Sequence, residues 1–306
     1  MNRKRFLTLA TSLILIKKNW ELTAEDTMRE IKAIPMREIP SSREKIPVLG
    51  FGTWRVFDKD STKENLITGM EVWEKFKEHG GKLIDSSPMY GRSEEFIGNL
   101  FEKKKEENRF LATKVWTSGK KEGSHQINQS FQKMKTSFID LFQIHNLLDW
   151  KTQMDTLREL KAEGKIKYIG VTHYIPTYFK QIEEIIRKEK IDFIQIPYSI
   201  SLRDAENSIS PLAREKGIAV LINRPFEGGE LFSNFIKKPI DPRLKEFDIH
   251  SWAELFIRFL VANRDLTCIL FASFNSKHVE ENMNAAKKPL LEKKDLEKVY
   301  KIFLEN

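Results

Sequence analysis

The stretch D-L-F-Q-I-H, residues 140–145, is a short apolar run that ends in a histidine, and five other stretches of the chain share this design. The six stretches end in a polar residue, at Asp85, Lys114, His145, Thr172, Gln195 and Asn223. Successive ends are 23 to 31 residues apart, which is room for one β-strand, one helix and two loops. The repeat predicts a parallel α/β fold whose polar strand ends meet on one face, where barrel enzymes keep their chemistry.

The segments on either side of this repeat complete a barrel. Two extended pieces around Ser41-Ser42, within residues 37–47, predict a hairpin that closes the barrel floor, and the first strand follows at 48–53. Residues 225–248 make the interval after Asn223 longer than the others and predict an inserted loop over the active face. The remaining predicted elements are a helix at 251–262, a strand at 267–271, and helices at 278–286 and 291–304. The predicted fold class is α/β, an (α/β)8 TIM barrel with an N-terminal hairpin and a C-terminal extra helix.

The first 35 residues differ from the rest of the chain. Arg3-Lys4-Arg5 precedes an apolar run from Phe6 to Ile16, which is the layout of an export signal. The order is close to a twin-arginine signal with Lys4 in place of the second arginine, so residues 1–16 are expected to contact the export machinery. We therefore divide the chain into a signal-like segment at 1–35 and a barrel at 36–306, located in the periplasm or cell envelope.

An alternative for the same segment is an N-terminal amphipathic helix that lies on the barrel of a cytoplasmic protein. Lys17-Lys18 directly follow the apolar run, and no clear cleavage site of small residues is present. The apolar run is also too short to span a bilayer, which argues against a conventional transmembrane helix.

Composition narrows the classes of function. The net charge of +8 is spread over lysine-rich helical segments and is not interleaved with aromatic residues, so a solvated surface is favoured over a nucleic-acid site. No ligand spacing typical of zinc is present, and no metal is expected. Cys268 is the only cysteine, which excludes an intramolecular disulfide. Its apolar neighbours predict a buried, inert thiol.

Four titratable residues, Asp85, Tyr90, Lys114 and His145, fall at or just beyond the ends of three consecutive strands. A tyrosine beside a lysine suits general acid catalysis, because the ammonium favours the phenolate and is expected to lower the tyrosine pKa. Asp85 would keep Lys114 charged, and His145 would orient a substrate carbonyl. The set lacks a strong nucleophile beside a base, so it fits proton delivery to a carbonyl as hydride arrives from a nicotinamide or flavin.

Each of these residues also has a purely structural explanation. Asp85 can cap a loop, Lys114 can pair with a surface glutamate, and Tyr90 can be a loop aromatic. Four titratable groups at matching strand ends are harder to explain in that way, because buried charges are costly without partners. The combination therefore favours a catalytic site.

Six strings carry a resemblance to a known family. They are G-F-G-T-W (50–54), I-D-S-S-P-M-Y-G-R-S-E (84–94), A-T-K-V-W (112–116), I-D-L-F-Q-I-H (139–145), G-K-I-K-Y-I-G-V-T-H-Y (164–174) and I-Q-I-P-Y-S (194–199). The chain resembles the aldo-keto reductases over nearly the whole barrel. The strings V-T-H-Y and N-R-P-F, with the signal-like start, resemble a bacterial branch whose members often carry twin-arginine signals. The resemblance implies a barrel that binds NADPH without a Rossmann fold, with Tyr90 as the acid and Asp85, Lys114 and His145 supporting it.

The resemblance also implies residues for the cofactor and the substrate. The expected cofactor residues from the first six strand ends and their loops are Gly52, Thr53, Trp54, Asp85, Thr172, His173 and Gln195, of which the last three hold the nicotinamide carboxamide. Trp54, Trp116 and Asn146 are expected to line the substrate pocket.

The sequence departs from the family at two parts of the cofactor site. Asn223 stands where a tyrosine usually stacks on the nicotinamide, and it is followed by Arg224, Pro225 and Phe226, of which Arg224 is expected to contact the pyrophosphate. The usual lysine and arginine for the 2′-phosphate fall at Ala272 and His278. The residues left for that end of the cofactor are Ser273, Asn275, Lys277 and His278 for the phosphate, and Glu281 and Asn282 for the adenine. NADPH is the expected cofactor, with NADH as the alternative.

The resulting hypothesis is an NAD(P)H-dependent oxidoreductase that reduces a small aldehyde or ketone, expected to be a monomer. A second hypothesis is a nicotinamide-cofactor-binding sensor or partner protein with little turnover. A basic nucleic-acid binder rests on net charge alone and ranks last.

Overall fold

Eight parallel strands close into a barrel in the computed structural model of the chain, which describes residues 33–102 and 108–306. The barrel strands are β3 (Leu49–Gly52), β4 (Leu83–Asp85), β5 (Phe110–Val115), β6 (Ile139–His145), β7 (Ile166–Thr172), β8 (Phe193–Pro197), β9 (Ala219–Asn223) and β10 (Cys268–Phe271). They follow one another in chain order around the barrel, and β10 closes it against β3. The predicted (α/β)8 barrel is confirmed.

Helices connect the strands and cover the barrel. Their bounds are α1 (Lys63–Glu78), α2 (Ser93–Glu102), α3 (Lys120–Lys133), α4 (Trp150–Ala162), α5 (Phe179–Lys188), α6 (Ile209–Lys216), α7 (Glu230–Phe235), α8 (Trp252–Ala262), α9 (Ser276–Lys287) and α10 (Lys293–Leu304). Helix α1 shows how the sequence sets its own limits: the Thr62 side chain accepts a hydrogen bond from the Asn65 N–H at the start, and Gly80 adopts a left-handed φ of 91° at the end.

An N-terminal hairpin closes the floor of the barrel, as the sequence predicted. Strands β1 (Met36–Glu38) and β2 (Lys45–Pro47) pair antiparallel. Ile39 and Ile46 are fully buried in a cluster with side chains from the barrel interior, among them Phe110 and Tyr168. This apolar cluster fills the amino end of the barrel, whereas the polar strand ends predicted from the sequence lie at the opposite, carboxyl face.

The strand register brings the polar strand ends to one level. Gly52 pairs with Asp85 between β3 and β4. On the other side of the barrel His145 pairs with Thr172, and Thr172 pairs with Gln195. Side chains that are far apart in the sequence therefore meet at the carboxyl face.

The inserted segment after β9 is only partly the loop that the sequence predicted. It contains α7 and two short 3₁₀ helices, and its first part, up to Phe232, lies over the active face. Its second part turns away from that face: the ring of Phe235 packs 4.7 Å from Trp252 and 5.2 Å from Phe303. Burial of these aromatic rings against α8 and α10 explains the difference, because the segment has an apolar surface of its own to cover.

The N-terminal segment, predicted as a signal, lies outside the described residues except for its last three positions. Within residues 33–102 and 108–306, no helix combines the length and the apolar character needed to cross a membrane.

Candidate active site

A cavity of about 560 Å³ opens at the carboxyl ends of the barrel strands. This volume is in the range of sites for small molecules and cofactors. Thirteen residues predicted from the sequence line it: Gly52, Thr53, Trp54, Asp85, Tyr90, His145, Asn146, Thr172, Gln195, Asn223, Arg224, Pro225 and Phe226. Three of the four catalytic candidates and much of the expected cofactor site thus share one cavity.

The carboxylate of Asp85 is the centre of the hydrogen-bond network below the cavity. Its Oδ2 accepts from Lys114 Nζ at 2.6 Å. Its Oδ1 accepts from Gln143 Nε2 at 2.9 Å and from Gln195 Nε2 at 3.1 Å. Gln143 was missed from the sequence. It lies two residues before His145 on β6, and the period of two along a strand places both side chains toward the barrel interior.

Lys114 is completely buried but remains charged. Besides Asp85, its ammonium donates to the carbonyl of Ser86 at 2.7 Å. Burial acts to lower the pKa of Lys114, but the charge of Asp85 and the contact with Tyr90 outweigh it, so that the pKa is raised above its ordinary value. The direction of this shift agrees with the predicted role of Asp85 toward Lys114.

Tyr90 lies against this ammonium, which is 4.9 Å from the centre of its ring. The predicted lowering of its pKa is wrong for the described chain. Burial of the phenol raises the pKa of Tyr90 and exceeds the opposing effect of the Lys114 charge. A raised pKa keeps the phenolic proton in place at neutral pH, which is the state that a proton donor needs.

His145 is neutral. Burial first, and then the positive charge of Lys114, lower the pKa of His145 to about 2. Its Nδ1 lies 2.8 Å from Ser87 Oγ, and its ring meets the ring of Tyr90 edge-on at 5.7 Å. Because His145 also lines the cavity, Tyr90 and a neutral imidazole face the same space.

The part of the cavity expected to take the cofactor has a suitable set of groups. Arg224 supplies a positive charge beside Gly228 and Gly229, whose φ values of 72° and 107° are left-handed. The Oδ1 atom of Asn223 is buried without a hydrogen-bond partner. A cation beside exposed backbone suits a pyrophosphate, and an unpaired amide oxygen suits an amide ligand, so the residues present fit a nicotinamide dinucleotide.

His173 and Lys114 are two predicted site residues that do not line the cavity. Lys114 lies below it, behind Asp85. The ring of His173 stacks on Tyr178 at 3.7 Å, and its Nδ1 accepts a hydrogen bond from the Ile175 N–H. Of the pair predicted to hold the carboxamide with Gln195, only Thr172 faces the cavity.

The residues predicted to hold the 2′-phosphate and the adenine lie around the start of α9, outside the cavity lining. Asn275 caps this helix, because its Oδ1 accepts from the Lys277 N–H at 2.9 Å. Ser273 Oγ in turn accepts from the Asn275 N–H at 3.2 Å. The side chains left on the surface are Lys277, His278 and Glu281, whereas Asn282 is buried.

The mouth of the cavity is aromatic. Trp54 and Trp116 are 37% and 40% exposed, and Trp116 lies outside the lining, with its ring 6.5 Å from that of His145.

The lining residues that the sequence did not identify are Arg55, Val56, Met89, Tyr174, Gly228, Gly229, Phe232, Leu270 and Ala272. Two of them could have been found from the sequence. Arg55 directly follows the G-F-G-T-W string, and Phe232 belongs to the segment predicted to lie over the active face. Within the described ranges, no group of histidine, cysteine and carboxylate side chains is arranged to hold a metal ion.

Comparisons with known proteins agree with this geometry. The model of the Aldo/keto reductase family matches residues 48–303. The chain is 25% identical over 311 residues to a protein of Escherichia coli (strain K12) named NADH-specific methylglyoxal reductase, covering 82% of this chain and 93% of that one. It is 27% identical over 230 residues to the aldo-keto reductase YhdN of Bacillus subtilis (strain 168), covering 65% and 68%.

A solved structure supports the fold. An aldo/keto reductase from Klebsiella pneumoniae in complex with NADP and acetate superimposes with a TM-score of 0.72 at 18% identity, over 89% of this chain and 95% of that one. The match of the family model over most of the chain decides the family. The chain belongs to the aldo/keto reductase family, and it is an NAD(P)H-dependent oxidoreductase of aldehydes or ketones.

Proposed function

We propose that Tyr90 is the general acid of the reduction and that the carbonyl oxygen of the substrate binds between Tyr90 and His145. The observation that carries this proposal is the position of Tyr90 over the buried Lys114 ammonium, in the wall of the cavity that His145 also lines. A proton donor, a neutral imidazole and a fixed positive charge are together on one side of the cavity.

The chain's own groups have separate tasks in this proposal. The phenolic O–H of Tyr90 and the imidazole of His145 donate to the carbonyl oxygen and orient it. The nicotinamide cofactor supplies the hydride when it is bound. As negative charge develops on the carbonyl oxygen, the phenolic proton moves to it, and Lys114 stabilises the phenolate that remains. Asp85 keeps Lys114 in place and charged.

The test is the Tyr90→Phe variant, assayed with a panel of small carbonyl compounds and with both NADPH and NADH. Loss of the general acid is expected to reduce turnover by roughly 10²–10⁴-fold, while cofactor binding measured by protein fluorescence stays close to that of the wild type. Tyr300→Phe on α10, remote from the cavity, is the matched control. Wild-type turnover by Tyr90→Phe at equal cofactor occupancy would contradict the assignment.

We also propose that the substrate is a small aldehyde or ketone, such as a dicarbonyl of the kind named for the Escherichia coli relative. The same panel separates this proposal from the sensor hypothesis. A protein that binds NADPH or NADH but reduces none of the carbonyl compounds would support the sensor or partner role. The proposed state is a monomer, which light scattering of the purified protein tests directly.

We further propose that residues 1–35 direct export of the folded protein through the twin-arginine route. The support is the order Arg3-Lys4-Arg5 before the apolar run. The physical argument is that a barrel which must acquire a nicotinamide cofactor is expected to fold in the cytoplasm first. The test is fractionation of cells that express the native chain or a variant with Arg3 and Lys4 changed to alanine. Export that persists in the variant, or wild-type protein found only in the cytosol, would show that the segment has another role.

A further inference from the structure

The hydroxyl of Ser87 links the loop after β4 to the imidazole of His145. Ser87 is fully buried, and its Oγ lies 2.8 Å from His145 Nδ1. The same oxygen accepts a hydrogen bond from the Met89 N–H at 3.1 Å. Among the described residues these are the two partners of the hydroxyl, and His145 Nε2 has no hydrogen-bond partner.

A count of protons distinguishes the two neutral tautomers of His145. If Nδ1 carries the proton, Ser87 Oγ accepts from both Nδ1 and Met89, and its own hydrogen has no acceptor in a buried position. If Nε2 carries the proton, Ser87 donates to Nδ1 and both groups are satisfied. An unsatisfied buried donor costs about 1–3 kcal/mol, so the contacts favour the second arrangement.

The same count holds for the charged imidazole. A protonated His145 has a hydrogen on both nitrogens, so it also leaves the Ser87 hydroxyl hydrogen without an acceptor. The contact therefore acts in the same direction as burial and the Lys114 charge, which lower the pKa of His145 to about 2. Ser87 disfavours both alternatives to the neutral, Nε2-protonated ring.

We propose that Ser87 is a positioning residue that fixes His145 in the Nε2-protonated tautomer and so turns its free N–H toward the carbonyl oxygen of the substrate. The effect on catalysis rests on the proposed role of His145 beside Tyr90. The assignment of the tautomer does not depend on that proposed role. An unprotonated Nε2 would instead present a lone pair to the carbonyl oxygen, and two acceptors repel each other.

The primary test is nitrogen NMR of the full chain with ¹⁵N-labelled histidine. The pattern of long-range proton–nitrogen correlations distinguishes the two neutral tautomers and the charged ring. The signal of His145, one of six histidines, is assigned by its absence from a His145→Asn variant. The expected result is an Nε2-protonated, neutral ring at neutral pH and at about pH 5, since the Ser87 contact and burial both oppose protonation.

Two serine variants test the origin of the tautomer. In Ser87→Ala the ring is expected to lose its single tautomer, and kcat is expected to fall by about three- to tenfold, as for one neutral hydrogen bond, with little change in cofactor affinity. Ser86→Ala is the matched control, because Ser86 is the adjacent buried serine and its Oγ accepts from Thr53 Oγ1, not from His145. It is expected to leave the His145 tautomer as in the wild type. Ser87→Thr, which keeps the hydroxyl, is expected to restore the tautomer.

Three results would overturn the proposal. The first is an Nδ1-protonated or charged His145 in the wild type, which is decided without any variant and does not depend on folding of Ser87→Ala. The second is an unchanged tautomer in Ser87→Ala. The third is a changed tautomer with an unchanged kcat, which would remove the link to catalysis. Activity of Tyr90→Phe has no bearing on the NMR result, so failure of the general-acid assignment is distinguishable from failure of this one.

Discussion

Lys114 Nζ lies 2.6 Å from Asp85 Oδ2, and the two side chains are 0% and 3% exposed. Two opposite charges at this depth have each lost their hydration, and each is compensated by the other and by further hydrogen bonds. In the proposed mechanism the pair serves chemistry as well as the fold, because the ammonium that would stabilise the Tyr90 phenolate is itself held by Asp85.

We predict that Asp85→Asn destabilises the fold by about 3–5 kcal/mol, because it leaves the Lys114 charge buried without its partner. Urea unfolding followed by circular dichroism measures the change. The matched control is Glu159→Gln, which breaks the Lys120–Glu159 pair. That pair has the same distance of 2.6 Å but side chains that are 59% and 55% exposed, so its loss is expected to destabilise the fold far less than the loss of the buried pair. An equal loss of unfolding free energy in the two variants would show that burial does not set the contribution of the Asp85–Lys114 pair.

The second prediction concerns stability at acid pH. The pKa of His145 is lowered to about 2 in the folded protein, against about 6.5 in an unfolded chain. Between these values the unfolded chain binds a proton at His145 that the folded chain does not. Stability therefore falls as the pH is lowered through this window, by about 2 kcal/mol from this residue between about pH 7 and pH 5.

His145→Asn is expected to remove that contribution from the pH dependence of the free energy of unfolding. His125→Asn, at an exposed position on α3, is the control for removal of a histidine. The measurement is urea unfolding of the three proteins at both pH values. A wild-type slope in His145→Asn would show that His145 does not remain neutral in the folded state.

The third prediction uses two glycines with the same backbone conformation. Gly228 and Gly164 have φ values of 72° and 71°, so alanine at either position is strained by about 1–2 kcal/mol. An added Cβ at Gly228 would lie 3.4 Å from Arg224 Nη2, whereas at Gly164 it would meet nothing within 4 Å. The contact at Gly228 is an ordinary van der Waals distance, so the expected effect comes from the strained backbone of Gly228→Ala. That strain is expected to shift the neighbouring Glu227 carbonyl, which accepts from Arg224 Nη2, and to weaken cofactor binding by up to about tenfold.

Gly164→Ala is expected to lose similar stability without any loss of cofactor affinity. Thermal unfolding and fluorescence titration of the two variants provide the comparison. Equal cofactor affinity in both variants would remove Arg224 from the cofactor site.

The fourth prediction is a weaker preference for NADPH over NADH than is usual in the family. Within residues 272–282, Lys277 is the only lysine or arginine, and it is exposed at the start of α9. A charged partner of phosphate contributes roughly 1.5–3 kcal/mol, so the loss of one is expected to cost about tenfold or more in discrimination. Titration of the wild type with both cofactors checks this, and a preference of a hundredfold or more would contradict it.

A variant tests the same site in the opposite direction. His278→Arg is expected to increase NADPH affinity by about tenfold and to leave NADH affinity unchanged. His250→Arg, in the turn before α8, adds the same charge elsewhere on the surface. An equal gain in both variants would indicate a general effect of net charge.

Much of the site could be predicted because strand ends are readable in the sequence. The spacing of Asp85, Lys114 and His145 placed them on one face, where Lys114 bonds to Asp85 and His145 lines the same cavity as Asp85. The spacing does not give the balance between the effects that raise the pKa of a side chain and those that lower it. Tyr90 is an example. The Lys114 charge lowers its pKa and burial raises it, and the depth of burial that decides between them is defined only by the packed structure.

The sequence also could not predict which of several neighbouring groups a side chain contacts. His173 was expected to face the cofactor, but Tyr178, five residues later, offers a ring at 3.7 Å and turns the imidazole aside. Ser87 lies in the string I-D-S-S-P-M-Y-G-R-S-E, yet the partner of its hydroxyl depends on β6, which places His145 Nδ1 within reach. Local patterns give the position of a residue along its element, whereas such contacts depend on two distant elements at once.

The carboxylate of Asp85 on β4 is bonded to side chains from β5, β6 and β8 through Lys114, Gln143 and Gln195. These four positions are consequently not independent targets for evolution. A substitution at one of them leaves a buried donor or acceptor without a partner until a second position changes to match. Substitutions among the four are therefore expected to arise in compensating pairs, and descendants of this chain that retain Asp85 should retain hydrogen-bond donors at the other three.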